Sequence, residues 1–174
     1  MELLAVIDCQ VDFFNGSLGY GDYEKLAEGI AEEIRAAQKR GAKILFTHDT
    51  HLPNYLSTRE GRSLSVEHTI LGSPGWELYG PIKELADNIP DAIHINKATF
   101  GMNPWDVARL PEGVDKIRIV GRVSNICVLS NAVMLQARYP EAQIEVVESL
   151  TDSNDPQLHK AAMDVLKGLQ AKIV

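Results

Sequence analysis

The chain has 174 residues, with 17 lysines and arginines against 24 acidic residues and a formal net charge of -7. Its 45% hydrophobic share is enough for a sizeable core in a single domain, 1–174, and its two cysteines are too few for a stapled secreted framework. The acidic balance excludes a general nucleic-acid binder, which needs lysine and arginine at phosphates, and no apolar run approaches the roughly 20 residues that span a bilayer. Small-molecule enzymes remain open.

The run Leu3–Ile7 is apolar throughout, as a strand buried on both faces reads. It lacks a preceding basic region and runs into Asp8, so it is not a signal peptide, and a cytoplasmic protein is expected. Leu26, Ile30, Ile34 and Ala37 fall at helical spacing over Tyr23–Arg40, and Gly41 stops that helix. Ala42–Thr47 is the second strand, completing a βαβ unit. His48 to Pro74 fits no element and reads as a long functional loop. Helices are predicted over Trp76–Ala86, Ser124–Tyr139 and Pro156–Gln170, and strands over Ile93–Ile95, Lys116–Val120, Ile144–Val147 and Lys172–Val174. This alternation predicts a three-layer α/β/α domain around a mostly parallel sheet of about six strands.

Parallel sheets place their sites at the carboxyl ends of the strands. Asp8 follows the first strand, Asp49 and His51 the second, Lys97 the third and Cys127 the fourth. A cysteine near a helix N-terminus sees unpaired N–H groups that favour the thiolate and can hold an oxyanion. Taken singly, each residue has an ordinary reading: Cys127 as small core residue, Asp8 as loop cap, Lys97 as surface lysine. Together, a base, a cation and a thiol at neighbouring strand exits are the ingredients of covalent catalysis.

Three segments carry a resemblance: Asp8-Cys9-Gln10-Val11-Asp12-Phe13, Asn96-Lys97, and Gly121-Arg122-Val123-Ser124-Asn125-Ile126-Cys127-Val128. In order and spacing they resemble the isochorismatase-like cysteine hydrolases, which include nicotinamidases. The resemblance implies a triad of Asp8, Lys97 and Cys127 that hydrolyses a small carboxamide through a thioester. It also implies a cis peptide before Val123 and an oxyanion hole from the backbone N–H groups of Val123 and Cys127. Phe13 stands where nicotinamidases stack an aromatic ring on the substrate, and relatives are commonly dimers or tetramers, which implies a homo-oligomer. The tryptophan that nicotinamidases carry before their last histidine ligand is absent, since Ser65 and Val66 sit there.

Thr47-His48-Asp49-Thr50-His51 resembles the metal-binding segment of that family, with Asp49 and His51 on one side of an extended chain and His48 pointing elsewhere. Glu60 and His68 match the remaining ligands of the Asp, His, Glu, His subgroup, so the resemblance implies a divalent ion, zinc or iron. No organic cofactor is implied. Trp76 and Trp105 read as packing residues, and Cys9 as a core residue on the face opposite Asp8. Two other readings stand beside the amidohydrolase: an isochorismatase-type vinyl ether hydrolase, whose members generally lack the cysteine, and a catalytically silent binding module of the same fold.

Overall fold

A computed structural model describes all residues, 1–174. Six strands, β1 (Glu2–Ile7), β2 (Lys43–Asp49), β3 (Ile93–Lys97), β4 (Lys116–Arg122), β5 (Gln143–Asp152) and β6 (Lys172–Ile173), form one sheet. Their spatial order is β3-β2-β1-β4-β5-β6, and every pair is parallel. The chain therefore reverses its direction of winding between β1 and β4, and the strand ends there open a crevice.

Seven helices complete the chain: α1 (Val11–Phe14), α2 (Tyr23–Lys39), α3 (Arg59–Ser63), α4 (Gly80–Asp87), α5 (Pro104–Ala108), α6 (Leu129–Arg138) and α7 (Pro156–Gly168). Alternation along β1 divides the core. Leu3, Ala5 and Ile7 pack with residues of α5, α6 and α7, whereas Leu4 and Val6 pack with residues of α2 and α4. The layers thus follow from sequence parity, and the three-layer α/β/α architecture agrees with the expectation. No helix is long and apolar enough to cross a membrane.

Local chemistry explains where elements begin. The Asp22 side chain accepts the Lys25 N–H at the start of α2, and Asp155 accepts the N–H groups of Gln157 and Leu158 ahead of α7. The predicted helix from Trp76 divides into a 3-10 turn, Pro74–Trp76, and α4, because Pro81 fits only the first turn of a helix. The predicted helix from Ser124 likewise opens as a π-helical turn, Ser124–Val128, before α6. Between His48 and Pro74 the chain extends β2 by two residues, then forms a 3-10 turn, Tyr55–Ser57, and α3. Those pieces, like α5, are too short to show helical periodicity. Thr58 and Asn103 cap α3 and α5 respectively.

One glycine is required at the crevice. Gly121 adopts φ +116, and a Cβ there would lie 2.1 Å from the Ile7 carbonyl oxygen. Only glycine lets β4 approach β1 at this level.

Candidate active site

Asp8 lies directly after β1 and is fully buried. Strict alternation after Leu4 and Val6 would send its side chain toward α2. The backbone instead adopts φ +46 at Asp8, a conformation aspartate tolerates better than most residues, and the chain turns there. The carboxylate consequently meets Thr47 on β2: the Thr47 hydroxyl donates to Asp8 Oδ1 at 2.6 Å, and Thr47 Oγ1 accepts the Asp8 N–H at 3.1 Å. Cys9 then packs with the α2 and α4 residues, in the core and away from Asp8.

Lys97 ends β3 on the face of Ile93 and Ile95 and is 1% exposed. Its Nζ lies 2.6 Å from Asp8 Oδ2, 3.7 Å from Cys127 Sγ and 3.6 Å from Asp49 Oδ1. It also donates to the Thr99 carbonyl at 3.1 Å. Burial alone would lower the lysine pKa, but Asp8, Cys127 and Asp49 raise it, so the ammonium stays charged. Burial raises the Asp8 carboxyl more than Lys97 lowers it. Burial also pushes the Cys127 thiol well above its ordinary value, against the pull of Lys97. Burial thus favours the neutral thiol over the thiolate, the form in which a sulfur attacks.

Asp49, His51 and His68 gather beside this group, with one potential ligand atom from each within 4.8 Å of the others. His68 Nδ1–H donates to the Val66 carbonyl at 2.8 Å, which leaves Nε2 facing Asp49 Oδ2 at 3.4 Å. His51 Nε2 lies 3.1 Å from the same oxygen, yet off the angle of a hydrogen bond, and this buried nitrogen has no partner within the chain. Glu60 Oε1 stands 3.6 Å from His51 Nε2 and 3.7 Å from His68 Nε2, outside the tight group of three. Burial opposes ionisation of Asp49, but the two imidazoles and Lys97 outweigh it and hold the carboxyl far below the usual range. An orphaned imidazole nitrogen, a second one aimed by its tautomer and a carboxylate suit a divalent ion such as zinc. His48 turns away and pairs with His94, Nε2 to Nδ1, at 3.0 Å.

A cavity of about 260 Å³ opens onto Cys127, Val123 and His68. It falls below the roughly 300–1,000 Å³ of drug-sized pockets, a volume that suits a small molecule. Phe13, Tyr20, Leu64 and Phe100 make its walls largely apolar, and the Phe13 ring meets His68 edge-on at 5.7 Å. The peptide between Arg122 and Val123 is cis, and the Val123 N–H has no acceptor within the fold.

Several contributors escaped the sequence reading. Thr47 shares the face of Leu45 and Asp49, a parity that placed it beside Asp8. Gln10 braces Asp49: its Oε1 accepts the Asp49 N–H at 2.7 Å and its Nε2 donates to the Asp49 carbonyl at 2.8 Å. Leu64, Tyr20 and Asn154 reach the cavity from segments with no local signal. Of the two tryptophans expected to pack, Trp105 corrects the expectation and Trp76 meets it. Trp105 is 81% exposed and packs against nothing, because α5 turns it outward. Trp76 ends the 3-10 turn ahead of α4 and packs with its ring centre 5.4 Å from that of His48, while its indole N–H donates to the Thr50 hydroxyl at 2.9 Å.

Comparison with known proteins gives a consistent result. The isochorismatase domain model matches residues 2–174. Among solved structures, a pyrazinamidase/nicotinamidase from Streptococcus mutans is 26% identical, with a TM-score of 0.86 and 100% of both chains covered. A pyrazinamidase of Pyrococcus horikoshii in complex with zinc is 26% identical, with a TM-score of 0.87 over 99% of this chain and 98% of that one. An N-carbamoylsarcosine amidase from Thermoplasma acidophilum, at 21% identity, shares the fold with a TM-score of 0.78 over 99% and 94% of the two chains. No curated protein sequence matches.

Proposed function

The chain belongs to the isochorismatase family of hydrolases, and from that premise we propose that it is a cysteine-dependent amidohydrolase, one domain cleaving the C–N bond of a small carboxamide. The carrying observation is the single cluster of Asp8, Lys97 and Cys127, opening on a small apolar cavity. Its similarity to pyrazinamidase and nicotinamidase structures supports a nicotinamide-like or pyrazinamide-like substrate.

Asp8 takes the proton from Cys127 Sγ, and Lys97 balances the thiolate so formed. The sulfur attacks the carbonyl carbon, and the displaced π electrons move onto oxygen. The N–H groups of Val123 and Cys127 receive that oxyanion. As the tetrahedral intermediate collapses, the C–N bond breaks, and Asp8 returns its proton to the leaving nitrogen, which departs as ammonia. Water then attacks the thioester, giving up a proton to Asp8. Collapse expels the sulfur, leaving a carboxylic acid and a cysteine that regains its proton.

Asp49, His51 and His68, with Glu60 beside them, would hold a divalent ion, which when bound supplies a positive charge beside the pocket and polarises groups it touches. Phe13 would stack on the substrate ring. A carboxamide panel followed by ammonia release tests the reading: wild type is expected to turn over at least one member, and Cys127→Ala to turn over none while remaining folded. Hydrolysis surviving that substitution would refute the thioester mechanism.

A further inference from the structure

Arg122 is wholly buried but does not line the cavity; it lies behind the wall. Its Nη1 donates to the Phe13 carbonyl at 2.5 Å, and its Nη2 donates to the Tyr20 carbonyl at 3.1 Å. Nε and Nη2 also grip Asp152 at 2.8 and 2.7 Å, in the two-pronged pairing that a planar guanidinium allows. The guanidinium carbon sits 4.1 Å from the centre of the Tyr20 ring and 4.9 Å from that of Phe14. The Tyr20 hydroxyl in turn donates to Asp152 Oδ1 at 3.0 Å.

The partners of this one side chain come from separate parts of the fold. Phe13 and Tyr20 flank the segment after β1, Val123 follows Arg122 itself, and Asn154 lies two residues beyond Asp152; all four face the cavity. A buried arginine is stable only with its donors satisfied, so its position fixes theirs. We propose that Arg122 is a positioning residue that clamps three walls of the cavity, and that this clamp sets its preference for a flat aromatic group beside Cys127. The inference rests on reading the cavity as the substrate site, but not on the hydrolysis itself.

Alkylation of Cys127 tests it without turnover. The probes are iodoacetamide and its N-phenyl analogue, with adducts on Cys127 quantified by peptide mass. The ratio of the two rate constants cancels the thiol's own reactivity and reports only how the walls receive the ring. Wild type is expected to favour the aryl reagent beyond the ratio shown by the unfolded chain. Arg122→Met should lower that preference at least tenfold, with Arg122→Lys intermediate, because an ammonium cannot span the carbonyls and the carboxylate together. A folded Arg122→Met with a ratio within twofold of wild type overturns the proposal, as does a wild type without preference. Should Arg122→Met not fold, Asp152→Asn decides: its side chain is 34% exposed, and a reduced preference supports the clamp while an unchanged one overturns it. Failure of the amidase reading shows separately, as a wild type that releases no ammonia.

Discussion

Replacing Lys97 with methionine probes both the chemistry and the stability of the site. At 3.7 Å from Cys127 Sγ, the ammonium stabilises a thiolate by about 4.5 kcal/mol at an effective dielectric of ~20, roughly three orders of magnitude in thiolate formation. Lys97→Met should therefore slow both alkylation of Cys127 and kcat/KM by about a thousandfold. Stability should respond through Asp8, which loses its counter-charge 2.6 Å away. Leaving a buried charge unpaired costs about 3–5 kcal/mol, unless the carboxyl takes up a proton. Burial already raises the Asp8 pKa, and loss of Lys97 raises it further. A carboxyl raised above its unfolded value favours folding below the unfolded pKa and loses that contribution as pH rises through the folded one. The variant should thus be close to wild type near pH 4 and progressively weaker toward pH 8, by urea unfolding. Asp8→Asn combined with Lys97→Met should restore most of the stability and none of the activity. A folded Lys97→Met whose alkylation rate and kcat/KM stay within tenfold of wild type would defeat the electrostatic account.

Other consequences can be measured directly. Protein purified without chelator is expected to carry one divalent ion per chain by elemental analysis, and His68→Ala to lose it; equal metal content in both would remove Asp49, His51 and His68 as the ligand set. Gly121→Ala drives a methyl group against the Ile7 carbonyl, at 2.1 Å, and should cost about 3 kcal/mol or more by denaturant titration; a change under ~1 kcal/mol would contradict the tight β1–β4 approach. At the opposite end of the sheet, Arg118 bridges Glu33 and Glu145 at 2.9 and 2.6 Å. Burial works against both carboxyls, yet the bonds from Arg118 and its basic neighbours keep them below their ordinary values. Depressed carboxyls stabilise above about pH 4.3 and lose that contribution as pH falls, so Arg118→Met should be weaker than wild type at pH 7 and converge with it near pH 3. Parallel pH profiles would count against that bridge.

Much of the architecture was legible because burial leaves its mark on composition. A strand covered on both faces is apolar along its length, as Leu3–Ile7 is, while β4 shows its buried stretch at Ile117, Ile119 and Val120. Helix α2 showed its core stripe at Leu26, Ile30 and Ile34, and Gly41 its end. The short pieces α3 and α5 carried no such mark, since five residues complete barely more than one turn. The candidate residues Asp8, Asp49, Lys97 and Cys127 were visible because each leaves a strand at its carboxyl end, where a parallel sheet exposes side chains.

What pattern alone determined, then, is the sheet, its covering helices and the edge at which ionisable groups converge, because hydrophobic periodicity is a local property of the chain. Contacts between remote segments had to await the folded chain. Asp8 reaches Lys97 and Thr47 through a backbone turn that strand parity would not give. Arg122 reads locally as an intruder at the end of a buried strand, yet 30 residues away Asp152 neutralises it and 109 residues away Phe13 accepts its hydrogen bond. A buried charge is tolerable only where such partners meet it, and bringing them together is the work of tertiary structure.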